Sequence, residues 1–205
     1  MKLFSYLRAA SFTTLNVVLN AATLRRYVWL EGAVSRGTFT NWAKRFRYEP
    51  VAFARPTTRE QIAALVKDSK SVRVFGSGHS FNTGCVSEGT LVSLDDYSGL
   101  LWKDPERGRL AVKGGTRMRD VVKLLFDEGL AFRALPSHDA QSIAGILSTD
   151  VHGTGNVFGT DDEWSFVSQS VAGLEIVDGK GEVHECGLSD DLFRAAVGGV
   201  APSAS

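Results

Sequence analysis

Two glycine-rich runs constrain this chain more than any other feature: Gly76-Ser77-Gly78-His79-Ser80-Phe81 and, about sixty residues later, Pro136 to Gly155. Glycine serves where backbone must turn with positive φ or approach a ligand closely, and 21 of the 205 residues are glycine. The first run follows Val72-Arg73-Val74-Phe75, which reads as a strand. Successive N–H groups beyond a strand end can form an anion-binding concavity for phosphate or pyrophosphate. The second run mixes hydroxyls, glycines and small side chains with only two carboxylates, Asp139 and Asp150. Such a surface lets the main chain approach a large flat ligand and offers its N–H and hydroxyl groups to phosphate oxygens.

Several common sites are poor matches. The first run is not a Rossmann fingerprint, because position 81 is Phe and no helix follows. It lacks the Gly-Lys-Ser/Thr triplet of a Walker loop. Gly78-His79-Ser80-Phe81-Asn82 misses a hydrolase nucleophile elbow, which needs a small fifth residue and a helix after it. A glycine turn between strands remains the plain alternative for this loop taken alone. His138, Asp139, Asp150 and His152 have no recognised metal spacing, so no metal site is expected. The 23 basic and 23 acidic residues cancel, and no field advertises nucleic acid as a partner. Cys85 and Cys186 read as ordinary buried thiols, too few for a disulfide scaffold.

The chain organises itself after Asn41 as α+β. Thr58 with Gln61, or Thr57 with Glu60, makes a capping box for a helix burying Ile62, Leu65 and Val66. Leu91 to Leu94 and Leu110 to Val112 read as strands. Thr116 is placed to cap a helix striped by Met118, Val121, Val122 and Leu125 and stopped by Gly129. Asp178-Gly179-Lys180-Gly181 joins two strand-like segments as a hairpin. Residues 1–36 read as a helical extension. Their stretch Ala9 to Leu24 is short for a membrane span and too interrupted for a convincing signal peptide. An amphipathic helix on the domain or on a membrane surface fits better. The expected location is accordingly cytoplasmic or peripherally membrane-associated.

The two runs, in this order and at this spacing, resemble the FAD-binding domain of the vanillyl-alcohol oxidase/p-cresol methylhydroxylase superfamily. The likeness is strongest to its sugar-lactone (gulonolactone and arabinonolactone) and alditol oxidases. It rests on Gly76 to Phe81, Ser142-Ile143-Ala144-Gly145 and Thr149-Asp150-Val151-His152-Gly153-Thr154-Gly155. Thr40-Asn41-Trp42-Ala43, Arg55-Pro56-Thr57-Thr58, Leu174 to Gly179 and Asp191 to Gly199 support it. The resemblance implies a domain over 37–205 of two small α/β lobes, about 46–113 and 114–205, with FAD in a cleft between them. The loops at His79 and His152 would both face that cleft.

Residue by residue, the resemblance implies that Phe75, Gly76, Ser77, Gly78, His79, Ser80 and Phe81 wrap the pyrophosphate. His79 stands where relatives often bond the flavin 8α-methyl carbon, and with no cysteine in the second run a linkage would be single. Ser142, Gly145, Ser148, Thr149, His152, Gly153 and Thr154 stand where relatives contact flavin ring and phosphates, and the Ile176 main chain where they hold adenine. The implied reaction is oxidation of a CH–OH group of a sugar lactone or alditol, with electrons passed to O2 or another acceptor. In relatives the catalytic residues lie in a substrate domain, which is expected to be absent here, the FAD domain itself ending incomplete at Val200 to Ser205. The alternative reading is therefore a truncated, non-catalytic flavin-binding remnant.

Overall fold

The first strands, β1 (Ala33–Ser35), β2 (Thr38–Thr40) and β3 (Arg47–Tyr48), form an antiparallel sheet in that order. The computed structural model describes residues 33–35, 37–154 and 165–199. The helical extension expected over 1–36 thus lies outside the described residues except for 33–35, and these are strand paired with 38–40. Gly155 and the final residues 200–205 also lie outside them.

β4 (Ala52–Ala54), α1 (Arg59–Asp68), β5 (Val72–Phe75) and β6 (Thr90–Ser93) follow. The three strands pair in parallel in the order β4-β6-β5. Central β6 buries Leu91, Val92 and Ser93, as a strand covered on both faces must. Phe39 of β2 packs edge-on against Phe75, ring centroids 4.9 Å apart, and with Leu91 they form one core. α1 is capped by Thr58, whose Oγ1 accepts from the Gln61 N–H at 3.2 Å. Gln61 reaches back to the Thr57 N–H at 2.7 Å, closing the expected box one residue early. Its apolar stripe is only half-buried, because an open groove lined by Pro56, Gln61, Leu65 and Asp68 runs beside it.

β7 (Leu100–Asp104) and β8 (Arg109–Val112) make an antiparallel pair turning at Gly108, φ +61°. α2 (Met118–Asp127) and α3 (Ile143–Ser148) precede a second antiparallel pair, β9 (Gly173–Val177) with β10 (Val183–Gly187), and α4 (Asp191–Ala196). A second core joins Met118 and Val121 of α2 to Ile143, Ile146 and Leu147 of α3 and to Val167. The stripe expected on α2 is the one buried, and Gly129 stops the helix at φ +69°. Thr116, however, does not cap α2: Arg117 holds that position, and its side chain makes no capping bond to the helix N–H groups. The buried Thr116 hydroxyl instead donates to Lys113 O at 2.6 Å and accepts from the Gly99 N–H at 2.9 Å.

α3 was not expected, since its residues read as loop. The β9-β10 hairpin closes as expected, with Asp178 Oδ1 accepting from the N–H groups of Lys180 and Glu182 at 2.8 and 2.9 Å. Arg59 and Glu175, paired at 2.9 Å, tie α1 to β9. The fold is α+β, with one core built before residue 94 and the other after residue 111.

Candidate functional site

The loop after β5 is pinned from several sides. Gly78, at φ +62°, is the one position in it that requires left-handed backbone. Its carbonyl accepts from the Trp42 N–H at 2.9 Å, and the Ser80 carbonyl accepts from Asn41 Nδ2 at 3.1 Å. Asn41 is itself 2% exposed and spends its Oδ1 on the N–H groups of Arg45 and Phe46. His79 lies half-buried between Trp42 and His138, ring centroids 5.4 and 6.0 Å away. Ser80 is exposed, and Phe81 is 66% exposed with its ring 6.2 Å from Trp42. The N–H groups of Ser77, Gly78, Ser80 and Phe81 have no carbonyl partner among the described residues.

The second run meets this loop along 138–142. A Cβ on Gly76 would lie 2.3 Å from Ser142 Oγ, so the bare α-carbon lets the two loops touch. Buried Ser77 donates from Oγ to the Ala140 carbonyl at 2.5 Å. Four backbone bonds hold the run to the first turn of α2 and the segment just before it: Met118 N–H to Gln141 O, Arg119 N–H to Asp139 O, Ile143 N–H to Thr116 O and Ala144 N–H to Gly114 O. Gln141 Oε1 is buried with no hydrogen-bond partner among the described residues. A buried acceptor left alone costs roughly 1–3 kcal/mol, so this junction is short of one donor.

The remaining expected positions are more dispersed. Ser142 is buried, and a Cβ on Gly145 would lie 3.1 Å from its Oγ. Ser148 and Thr149 donate their hydroxyl hydrogens to Ala144 O and Gly145 O, at 2.8 and 2.9 Å. As placed, they offer a ligand lone pairs rather than the donors that phosphate oxygens want. His152 is exposed, its Nδ1 3.0 Å from Gly153 O and its ring edge-on to Phe166 at 6.1 Å. A Cβ on Gly153 would lie 2.3 Å from the Leu135 carbonyl, while Thr154 is exposed. Ile176, half-buried in β9, pairs across the hairpin with His184. The contacts of the first loop therefore reach His138, Ala140 and Ser142, whereas those of His152 run to Gly153 and Phe166.

Arg117 belongs to the junction although nothing in the sequence marks it. Its Nη1 donates to Ser77 Oγ and, at 3.2 Å, to Ala140 O, while Nη2 binds Asp95 Oδ1 at 2.7 Å. Asn41 and Trp42 lay in a stretch supporting the resemblance but carried no expected role. Away from the junction, Asp178, Glu182 and His184 bring ligand-type atoms within 4.8 Å of one another. Hairpin bonds already account for Asp178: backbone N–H donors first, then His184, hold its carboxyl below the usual range.

Beneath the first loop, Tyr48 donates to the Cys85 carbonyl at 2.6 Å, and burial pushes its pKa up to about 12. Burial also raises both thiols, Cys85 despite Arg73 nearby and Cys186 with help from Asp190. A raised thiol carries less thiolate at neutral pH than a free cysteine. Iodoacetamide at pH 7.5 is therefore expected to modify both slowly in the native protein and fully after denaturation. Rapid native labelling of either would contradict that reading.

Comparison with known proteins adds four findings. Residues 50–187 match the family model of the FAD binding domain. The D-arabinono-1,4-lactone oxidase of Candida glabrata is 33% identical over 168 residues, covering 77% of this chain and 31% of its own. That of Kluyveromyces lactis is 32% identical over 174 residues, covering 80% and 32%. An L-gulono-1,4-lactone dehydrogenase of Mycobacterium tuberculosis is 29% identical over 163 residues, covering 78% and 37%. The chain spans about a third of the length of these curated relatives.

Proposed function

The chain belongs to the FAD binding domain family, its cofactor is FAD, and from that premise we propose that the loops at 76–81 and 138–154 hold the cofactor in an oxidase of sugar-lactone or alditol CH–OH groups. The observation that carries this reading is the junction at Gly76 and Ser142. There, unpartnered N–H donors and the lone Gln141 acceptor stand within two touching loops. FAD has both what the donors need, pyrophosphate oxygens, and what the acceptor needs, ring N–H groups. The residues present therefore fit the group.

In this reading Ser77, Gly78, Ser80 and Phe81 bind the pyrophosphate through main-chain N–H groups, and Phe75 anchors the loop in the core. His79 bonds the flavin 8α-methyl carbon. Ser142, Gly145, Ser148, Thr149, His152, Gly153 and Thr154 line the flavin and phosphates, and the Ile176 main chain holds adenine. Bound FAD supplies the two-electron acceptor, which O2 or another oxidant then restores. The protein's part is to orient the cofactor and screen it from water. A peripheral membrane association belongs to the same proposal, on the strength of the mildly apolar sequence at 9–24. Among the described residues no helix is long and apolar enough to cross a membrane.

The test is the full-length protein purified with its flavin and assayed for hydrogen peroxide release or dye reduction. Gulono-, galactono- and arabinono-1,4-lactone, xylitol and sorbitol are the substrates to compare. Turnover with any of them supports the reading. A protein that takes up no FAD overturns it, and one that holds FAD without turnover is the flavin-binding remnant.

A further inference from the structure

We propose that Arg117 is the positioning residue that sets the spacing of the two cofactor loops, and that it is not itself a ligand of the cofactor's anion. The proposal rests on the cofactor reading above. Arg117 stands just before α2, and its guanidinium joins three other segments at once. These are the first loop through Ser77 Oγ, the second through Ala140 O, and the turn after β6 through Asp95. Its own main chain bridges to Ser142, the residue against which Gly76 rests. A planar fork of donors reaches all of these acceptors at once; an ammonium on a flexible stem reaches only some of them.

The charge argument separates clamp from ligand. The Arg117 side chain is 12% exposed and its positive charge is met by Asp95 at 2.7 Å. Breaking such a half-buried pair leaves the partner uncompensated, so the pair acts as a unit. An arginine kept to bind pyrophosphate would gain from losing that carboxylate. A clamp would be harmed by the loss.

Arg117→Ala, Arg117→Lys and Asp95→Asn are compared in two ways: amide hydrogen exchange of the cofactor-free protein, and FAD affinity at several salt concentrations, the affinities being read in a His79→Ala background where FAD binds reversibly. Arg117→Ala is expected to speed exchange across 76–81 and 138–144 and to weaken FAD binding by about tenfold or more. Arg117→Lys recovers part of both. Asp95→Asn moves both in the same direction as Arg117→Ala, and the salt dependence of FAD binding stays that of the wild type. Tighter FAD binding in Asp95→Asn, or exchange in Arg117→Ala equal to wild type, overturns the proposal. If Arg117→Ala does not fold, Arg117→Lys and Asp95→Asn decide. If the wild type binds no FAD, the cofactor reading fails while the exchange data still judge the clamp.

Discussion

Denatured holoprotein is expected to keep its flavin on the polypeptide, as a yellow fluorescent band, and His79→Ala is expected to abolish that band completely. The bond would replace a methyl C–H by C–N, the proton leaving to solvent and the two electrons passing to the flavin and on to its oxidant; imidazole nitrogen is a competent nucleophile for it, but only from a fixed approach. The loop supplies one: its main chain is fastened at Gly78 O and Ser80 O, on either side of His79, by Trp42 and Asn41. The ring itself is steadied by Trp42 and His138. His79→Ala touches none of these main-chain bonds, so the variant should fold and bind FAD reversibly, releasing it on denaturation. Flavin that washes away from denatured wild type would exclude the bond and leave FAD binding standing.

The parts of the fold legible in the sequence are those fixed by near neighbours. β5 is the segment Val72–Phe75 that alternation and the following glycine mark. The turn at Asp178 closes through bonds spanning two and four residues, which the local residue types dictate. What stayed hidden depends on distant partners. α3 reads as loop because Ser142, Gly145, Ser148 and Thr149 favour turns, yet Ile143, Ile146 and Leu147 are buried against α2. Tertiary burial outweighs propensity over so short a helix. Thr116 looks like a cap, but Gly99 and Lys113 claim its hydroxyl.

The candidate site divides along the same line. Glycine spacing exposes the two runs, and the contact of Gly76 with Ser142 agrees with their serving one ligand. The bonds that hold the runs in place span 22 to 63 residues: Arg117 to Asp95, Arg117 to Ala140, Asn41 to Ser80, Arg117 to Ser77 and Ser77 to Ala140. A single arginine or asparagine among many carries no sign of such a partner. Only the fold brings the partner to it.

Gly115→Ala is expected to be strongly destabilising. A Cβ at Gly115 would lie 1.8 Å from the Leu94 carbonyl oxygen, 2.6 Å from the Leu94 carbonyl carbon and 2.7 Å from Tyr97 O. All three are backbone atoms, so no side chain can swing away. Relief means moving either the end of β6 or the Gly114-Gly115 turn by more than an ångström. Either movement stretches the Gly115 N–H bond to Tyr97 O, now 3.0 Å, and the Thr116 contacts with Gly99. The turn also carries the carbonyls of Gly114 and Thr116 that hold Ala144 and Ile143, so the second glycine-rich run shifts with it. Overpacking of this kind costs roughly 3 kcal/mol or more, a large part of the 5–15 kcal/mol that typically holds a domain. Thermal melting should fall by about 6–12 °C for a chain of this size, and FAD retention should fall with it. Gly99→Ala is the informative control, because a Cβ there meets nothing within 4 Å and only its φ of +108° is strained. If Gly115→Ala melts within about 2 °C of wild type, a difference worth less than roughly 1 kcal/mol, then the approach of the turn to Leu94 is looser than described, and the second loop is held by its other contacts alone.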